Sequence, residues 1–274
     1  MHLFFETMPK LKEIIELVER VAPPFLAEEW DNSGLQVGDP AASITSVLVA
    51  LDPVSEVLEE ARITGAGLLI THHPFFFSPL RSLDLSKGQG ALLNTALREG
   101  IAIYSAHTSL DKAKPGVSDA LAGILGLKKT GPIEQDLGWP SGIGLGRVGD
   151  LPKKTSIREI AHKLKKALGS DGLRLAGDPE RLVKRVAVCG GSGAGLIDAA
   201  LAAGAEAYVT GDIKYHDALY ASEADLALLD AGHFYTERYC LNWFAKALNG
   251  LFNEAGFRIK VEVSGAQSGP WMDL

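Results

Sequence analysis

The stretch of sequence that decides the fold is Leu68-Leu69-Ile70-Thr71-His72-His73-Pro74-Phe75-Phe76-Phe77. Its apolar beginning, which follows Gly65 and Gly67, predicts a buried strand of a parallel sheet. That strand delivers His72 and His73 at its carboxyl end, where open α/β sheets place their ligands. Because adjacent side chains on a regular strand point to opposite faces, we expect the two imidazoles to diverge and to serve two neighbouring metal ions, one each. The alternative is a pair of histidines hydrogen-bonded to backbone at a turn.

Strands and helices alternate on both sides of this stretch. Residues 44–51 predict a strand, and residues 55–64 predict a helix that Gly65 ends. Residues 90–99 predict a second helix, and residues 101–105 a further strand. Alternation at this spacing is typical of βαβ units, so we expect a parallel sheet with its strand ends at one edge.

The second half of the chain repeats the first. Residues 186–212 align without a gap on residues 47–73, and each copy is followed by a strand and a histidine with a carboxylate four residues later. These tails are His107 with Asp111, and His233 with Glu237. An internal duplication explains the ungapped match better than chance alternation does. The predicted fold class is therefore α/β, with two similar α/β/α halves and mainly parallel sheets.

Three segments follow from this pattern. Residues 1–130 form the first α/β half with the His-His strand, residues 131–185 a connecting segment, and residues 186–274 the second half with His233 and Glu237. The connecting segment contains four closely spaced glycines and a basic helix predicted at 156–168. Since these glycines stand among apolar residues, close strand packing or a bend is expected there rather than a phosphate cradle.

The candidate ligands are expected to converge at one edge of the fold. The carboxyl ends of parallel strands meet there, so His72, His73 and the two His-x-x-x-acid tails are expected to meet as well. Glu237 begins an apolar helical stripe that runs on through Cys240 and Phe244, and a carboxylate aimed at a core is costly unless it is paired or coordinates a metal. Histidines with carboxylates predict a site for Zn, Mn, Fe, Ni or Co.

A glycine-rich loop offers a rival interpretation. Residues 189–196 follow a predicted strand and resemble a dinucleotide loop, but Leu196 stands where the third glycine belongs. Free backbone N–H groups for a phosphate remain an alternative there.

Composition narrows the classes of function. Because the chain has a net charge of −7 and a pI near 5.5, it is not expected to bind nucleic acid or an acidic membrane electrostatically. Two cysteines are too few for a disulfide framework. Residues 1–6 have neither a basic region nor a long apolar core, and no apolar run is long enough to span a membrane, so a cytoplasmic protein is expected.

Five segments together resemble the NIF-three-like family, whose members are often called GTP cyclohydrolase 1 type 2 homologues. They are Trp30-Asp31-Asn32-Ser33-Gly34-Leu35, Thr71-His72-His73-Pro74, Ala106-His107-Thr108-Ser109-Leu110-Asp111, Gly211-Asp212-Ile213-Lys214-Tyr215-His216 and Gly232-His233-Phe234-Tyr235-Thr236-Glu237. The resemblance covers nearly the whole chain in the family's short form. It implies two intertwined α/β/α halves, a homohexameric ring and two divalent transition-metal ions. The metal ligands that it implies are His72, His73, Asp111, His233 and Glu237.

The function implied is that of a dinuclear metal-dependent hydrolase of a small, nucleotide-like substrate, of the GTP cyclohydrolase type. His107 and His216 could shuttle protons, or they could equally hydrogen-bond to a metal ligand and hold it in place. Two alternatives stay open. One is a non-catalytic metal-binding adaptor or regulatory ring protein, and the other a metallohydrolase that cleaves phosphodiesters or peptides.

Overall fold

The computed structural model describes residues 8–135, 138–170 and 172–271, so the expectation drawn from residues 1–6 lies outside the described part. The strands are Gly34–Val37 (β1), Ser46–Ala50 (β2), Leu68–Thr71 (β3), Ala102–Ser105 (β4), Lys128–Gly131 (β5), Glu134–Gln135 (β6), Gly144–Leu145 (β7), Arg147–Ser156 (β8), Arg174–Ala176 (β9), Leu182–Ser192 (β10), Ala207–Gly211 (β11), Ala227–Asp230 (β12) and Lys260–Val263 (β13). The α-helices are Leu11–Val21 (α1), Ser55–Thr64 (α2), Gly88–Glu99 (α3), Thr108–Lys112 (α4), Val117–Leu125 (α5), Ile157–Leu168 (α6), Ile197–Ala202 (α7), Tyr215–Glu223 (α8), His233–Arg238 (α9) and Leu241–Glu254 (α10). Within these residues, no helix has the length and apolar character that a membrane crossing requires.

The chain divides into two compact units whose boundaries differ from the predicted segments. Unit 1 comprises Met1–Leu110 and Leu241–Ser268, and unit 2 comprises Asp111–Cys240 and Gly269–Leu274. The difference arises because α10 and β13, which the sequence pattern assigned to the second half, pack in unit 1. There β13 pairs in parallel with β2, and α10 packs on α1, β2 and β13.

The sheet of unit 1 has the strand order β1-β4-β3-β2-β13. All its pairs are parallel except β1 with β4. Helix α2 ends as predicted at Gly65, whose left-handed conformation lets its N–H reach the carbonyls of Ala61 and Arg62. Leu58 of this helix and Leu69 of β3 belong to one buried cluster, so the helix covers a face of the sheet. Burial of such side chains stabilises the unit by about 1.5–3 kcal/mol each.

The second sheet has the order β5-β8-β10-β11-β12-β9. Its central strands β10, β11 and β12 are parallel, whereas β5, β8 and β9 pair antiparallel. The sheet of unit 2 is therefore mixed, with the predicted parallel arrangement confined to its centre. Along β10, Val186 and Val188 join one buried cluster while Ala187 and Cys189 join another, so both faces of the sheet are covered.

The parallel cores of the two sheets share one register. In unit 1, Val47 pairs with Leu68; in unit 2, Val186 pairs with Ala207, which are the positions that the ungapped alignment equates. The third strands follow the same rule, since Ala102 pairs with Leu68 and Ala227 with Ala207. This agreement is what an internal duplication predicts.

The glycines of the connecting segment allow strands to approach closely, as expected. A Cβ on Gly144 would lie 2.1 Å from the carbonyl oxygen of Glu134, and one on Gly149 would lie 2.8 Å from that of Lys128. Because real Cβ contacts are not that short, only glycine fits these positions.

Candidate functional site

The first group of candidate ligands follows β3 in unit 1. Because β3 ends at Thr71, His72 and His73 lie beyond the regular strand, and the expected divergence of their side chains is wrong. Their ring centroids are 5.1 Å apart. The backbone is held there, since the N–H groups of His72 and His73 donate to the carbonyls of Ala50 and Leu51 at 3.1 and 2.9 Å. The end of the strand thus points both imidazoles into one region.

His107 joins these two histidines from the end of β4. One ligand atom from each of His72, His73 and His107 can be chosen so that all lie within 4.8 Å of one another. His72 and His107 are buried, and His73 is half-buried. Three imidazoles at such distances, largely shielded from water, form a group that could hold a transition-metal ion.

Each of these imidazoles is oriented through its Nδ1 atom. His72 Nδ1 lies 2.9 Å from the carbonyl oxygen of Ala106, which can only accept, so this nitrogen carries the proton. His73 Nδ1 lies 2.6 Å from Asp52 Oδ1, and His107 Nδ1 lies 2.8 Å from Asp31 Oδ1. In a neutral imidazole with a protonated Nδ1, the lone pair is on Nε2, the atom that then binds a metal.

Several hydrogen bonds hold the Asp31 carboxylate in place. Its Oδ2 accepts hydrogen bonds from the Ser33 hydroxyl at 2.7 Å and from the Thr108 hydroxyl and backbone N–H at 2.6 and 3.1 Å. Burial alone would raise the pKa of Asp31, but hydrogen bonds from His107, Thr108 and Ser33 outweigh it and hold the pKa well below its usual range. Asp31 therefore stays ionised and fixes the orientation of the His107 ring.

The second group lies in unit 2 on α9, where His233 and Glu237 are one helical turn apart. His233 Nε2 is 2.9 Å from Glu237 Oε2, and His233 Nδ1 is 2.7 Å from Asp212 Oδ2. Asp212 has a left-handed backbone (φ 56°) at the end of β11. Such a conformation is uncommon for a residue other than glycine, and residues that adopt it are often found at functional sites.

Glu237 is directed inward, as its position in the sequence predicts, and is 4% exposed. It packs on the backbone of β10, because a Cβ on Gly191 would lie only 1.9 Å from Glu237 Oε1. The apolar stripe behind it, however, is not one helix. Helix α9 ends at Arg238 and α10 begins at Leu241, with a turn in which the Cys240 N–H donates to the Glu237 carbonyl at 3.0 Å.

Asp111 and His216 complete the predicted set of site residues. Asp111 is half-buried on α4. Burial and, to a smaller extent, the carboxylates of Asp111 and Glu237 raise the pKa of the Cys189 thiol to about 12. His216 is exposed on α8, with its ring against that of Tyr215. In the described part of the chain, neither Asp111 nor His216 belongs to a group of three or more metal-capable side chains.

Two backbone N–H groups of the glycine-rich loop donate to side chains of the protein and are therefore not available to bind a phosphate. The Gly191 N–H donates to Thr236 Oγ1 at 3.0 Å, and the Gly190 N–H to Ser118 Oγ at 3.4 Å. Both glycines belong to β10, and their lack of side chains makes room for Glu237 and Val117. The glycines thus serve packing around the candidate ligand.

Three carboxylates were not singled out from the sequence, namely Asp31, Asp52 and Asp212. Each accepts a hydrogen bond from the Nδ1 atom of a candidate histidine. Asp212 directly follows the parallel strand β11, and Asp52 follows the parallel strand β2 with one residue between them. Position at a strand end was therefore the signal that could have found these two.

The fold and its donor groups define a class: within the described residues, this is an α/β protein with two main sheets and with histidine and glutamate side chains that could bind metal. The chain belongs to the Duf34/NIF3 (NGG1p interacting factor 3) family, whose model matches residues 9–270. This confirms the resemblance found in the sequence.

Relatives of known sequence or structure resemble almost the whole chain. A Streptomyces coelicolor protein named GTP cyclohydrolase 1 type 2 homolog is 40% identical over 268 residues, covering 96% of this chain and 94% of its own. The crystal structure of a Bacillus cereus protein related to NIF3 matches with a TM-score of 0.92 and 26% identity over 97% of this chain and 100% of that one. A Staphylococcus aureus hypothetical protein also matches with a TM-score of 0.92, at 30% identity, over 97% of this chain and 99% of its own.

Proposed function

We propose that this protein is a metal-dependent hydrolase of a small, nucleotide-like substrate. The proposed centre holds two divalent transition-metal ions, drawn from Zn, Mn, Fe, Ni and Co. Its proposed ligands are His72, His73, Asp111, His233 and Glu237. The proposal draws on the family membership and on the local geometry within each unit.

One observation carries the proposal: the three histidines among the proposed ligands are oriented in the same manner. His72, His73 and His233 each have Nδ1 within 2.9 Å of an oxygen acceptor, which is a carboxylate for His73 and His233. Metal-binding histidines almost always hold the second ring nitrogen in this way, which sets the tautomer and makes the other nitrogen a better ligand. An imidazole that only packs in a core does not require a dedicated carboxylate.

The chemical character of these donors suits the proposed ions. Imidazole nitrogen and carboxylate oxygen together favour borderline divalent transition metals over Ca²⁺ or Mg²⁺, which prefer oxygen alone. Bound there, such ions would supply Lewis acidity, which activates water at neutral pH and polarises the group to be hydrolysed.

The protein's own part in the reaction is orientation and proton transfer. His107 is held by the ionised Asp31 carboxylate, so the proton on Nδ1 is fixed and Nε2 is the atom that exchanges a proton with the substrate. The exposed His216 on α8 is proposed for a second proton transfer. For a purine nucleotide, hydrolytic ring opening would take place at the C8 carbon, in keeping with the name of the Streptomyces coelicolor relative.

A second candidate function is that of a non-catalytic metal-binding adaptor or regulatory ring protein. It is favoured by the burial of two of the proposed ligands, since His72 is 2% and Glu237 4% exposed. A buried metal with only protein ligands stabilises a fold, whereas a catalytic one keeps a coordination position for substrate.

The deciding experiment is a turnover screen of metal-reconstituted protein against GTP, other nucleotides, phosphodiesters and peptides. We expect the wild type to hydrolyse a nucleotide and Glu237→Ala to lose both turnover and metal. Glu223→Ala, an exposed carboxylate at the end of α8, is the matched control and should behave like the wild type. Full metal content without turnover on any substrate would favour the adaptor, and turnover confined to phosphodiesters or peptides would redefine the hydrolase.

We also propose that the chain assembles as a homohexameric ring, as the family resemblance implies. Light scattering behind a sizing column should then give six times the 29.2 kDa mass of the chain. A monomeric mass at micromolar concentration would contradict the ring.

A further inference from the structure

Two exposed aromatic rings stand beside the histidine group of unit 1. Trp30 is 62% exposed and Phe77 is 61% exposed. Their ring centroids lie 5.9 and 6.0 Å from that of His107 and 6.1 Å from each other. We call Trp30 and Phe77 the aromatic shelf. His107 in turn lies within 5.5 Å of both His72 and His73, so the shelf adjoins the candidate ligands directly.

Hydrogen bonds connect the two chain segments that carry Trp30 and Phe77. Asn32, two residues after Trp30, donates from Nδ2 to the Phe76 carbonyl at 2.7 Å. Gln36 Oε1 accepts from the Phe76 N–H at 3.3 Å and from Asn32 Nδ2 at 3.0 Å. The neighbouring Asp31 is tied to His107 as described. The segments that carry the two rings are thus joined to each other and to the histidine group.

Packing of these rings against each other and His107 explains only part of this arrangement, because 62% of Trp30 and 61% of Phe77 remain exposed. An exposed aromatic side chain leaves a large apolar area in water, and here two such areas adjoin on a polar, hydrogen-bonded framework. The two ring planes are inclined at 41°, so the rings do not cover each other by stacking. Ring faces of this kind, next to convergent polar groups, are typical of a site for a flat ligand.

We propose that the aromatic shelf binds the planar heteroaromatic base of a nucleotide, and that it positions the base beside His107. The inference rests on the proposed function and specifies its substrate class. A nitrogen heterocycle fits better than an aliphatic group, because every base has a flat π-face that can stack on an indole or phenyl ring.

Calorimetric binding to the holoprotein tests this inference without relying on turnover. The probes are guanosine 5′-monophosphate and ribose 5-phosphate, which share the sugar phosphate and differ in the base. We expect the nucleotide to bind at least about 10-fold more tightly. Trp30→Leu and Phe77→Leu should each weaken nucleotide binding by about 5- to 150-fold, the usual range for loss of one base–aromatic stack, and leave ribose 5-phosphate binding unchanged.

Two further variants complete the design. Trp30→Phe keeps an aromatic face and should retain most of the affinity, so it reports on stacking even if the leucine variant unfolds. Tyr220→Leu is the matched control, since it removes an aromatic ring that is 48% exposed on α8 and should not change binding. Metal content is measured for each variant and should equal that of the wild type.

Several results would overturn the inference. These are equal affinity of the wild type for both probes, no nucleotide binding, or unchanged nucleotide binding in both leucine variants. A lower oligomer mass in the leucine variants would also overturn it, because the shelf would then be a contact between copies of the chain. The inference and the proposed function fail separately: base-dependent binding without any turnover refutes only the hydrolase, and turnover with unchanged binding in the shelf variants refutes only the shelf.

Discussion

Glycine 191 provides a test of the metal site that changes no ligand. Gly191 lies in β10 with a left-handed backbone (φ 67°), and a Cβ at this position would be 1.9 Å from Glu237 Oε1. An ordinary contact between such atoms is about 3.4 Å or longer, so Gly191→Ala must displace the carboxylate by about 1.5 Å. Metal–ligand distances tolerate only about ±0.2 Å. We therefore expect the variant to bind metal as poorly as a Glu237 variant.

The same substitution also strains the backbone, and this effect needs its own control. Alanine in the left-handed region costs about 1–2 kcal/mol of folding free energy. Gly204 in the same unit has a similar conformation (φ 75°), but the nearest atom to its Cβ would be 3.8 Å away. Gly204→Ala thus introduces the strain without displacing Glu237.

The assay is metal analysis after reconstitution, combined with urea unfolding of the metal-free proteins. Gly204→Ala should lose about 1–2 kcal/mol of stability and Gly191→Ala at least as much, and only Gly191→Ala should also lose metal. Wild-type metal content in folded Gly191→Ala would refute the reasoning, because the displaced carboxylate would then have no part in binding. Equal loss of metal in both variants would refute it too, since strain alone would suffice.

Other predictions address the ligands, their supports and the core. Glu237→Gln should lower metal content more than His72→Ala and abolish hydrolysis. Its effect on folding should be modest, because the change removes the charge and keeps the size. Elemental analysis measures the metal content, and thermal melting measures the effect on folding. Asp52→Asn should weaken metal affinity by about 10- to 100-fold through the orientation of His73, as a chelator competition would show, and unchanged affinity would dismiss the support. Burial raises the pKa values of Cys189 and Cys240, so neither thiol should react with iodoacetamide at pH 8 until urea unfolds the protein.

The parts of the fold that the sequence predicts are those with local causes. Apolar runs located β2, β3 and β4, and helix-ending glycines precede the last two of these strands. The histidines after β3 and β4 were found because parallel strands end at one edge. The alignment of residues 47–73 with 186–212 even predicts the register that both sheets share. These features require only the chain's own periodicity.

The features that were missed depend on contacts far apart in sequence. Strand β13 alternates Lys260 and Glu262 with valines, so nothing local shows that it pairs with β2 about 200 residues earlier. The break between α9 and α10 has no proline or glycine to mark it, because packing in different units decides it. Likewise the role of Asp31 becomes visible only when the fold brings it to His107, 76 residues away in sequence.

The most direct measurement is the number of metal ions that each chain holds. The protein is freed of metal with a chelator, reconstituted separately with Zn, Mn, Fe, Ni and Co, passed over a desalting column and analysed by mass spectrometry of the elements. With the ligands proposed, close to two ions per chain should remain for at least one metal, and Glu237→Gln should retain fewer than His72→Ala. No bound metal under any of these conditions, or a single ion per chain that survives Glu237→Gln, would contradict the dinuclear centre.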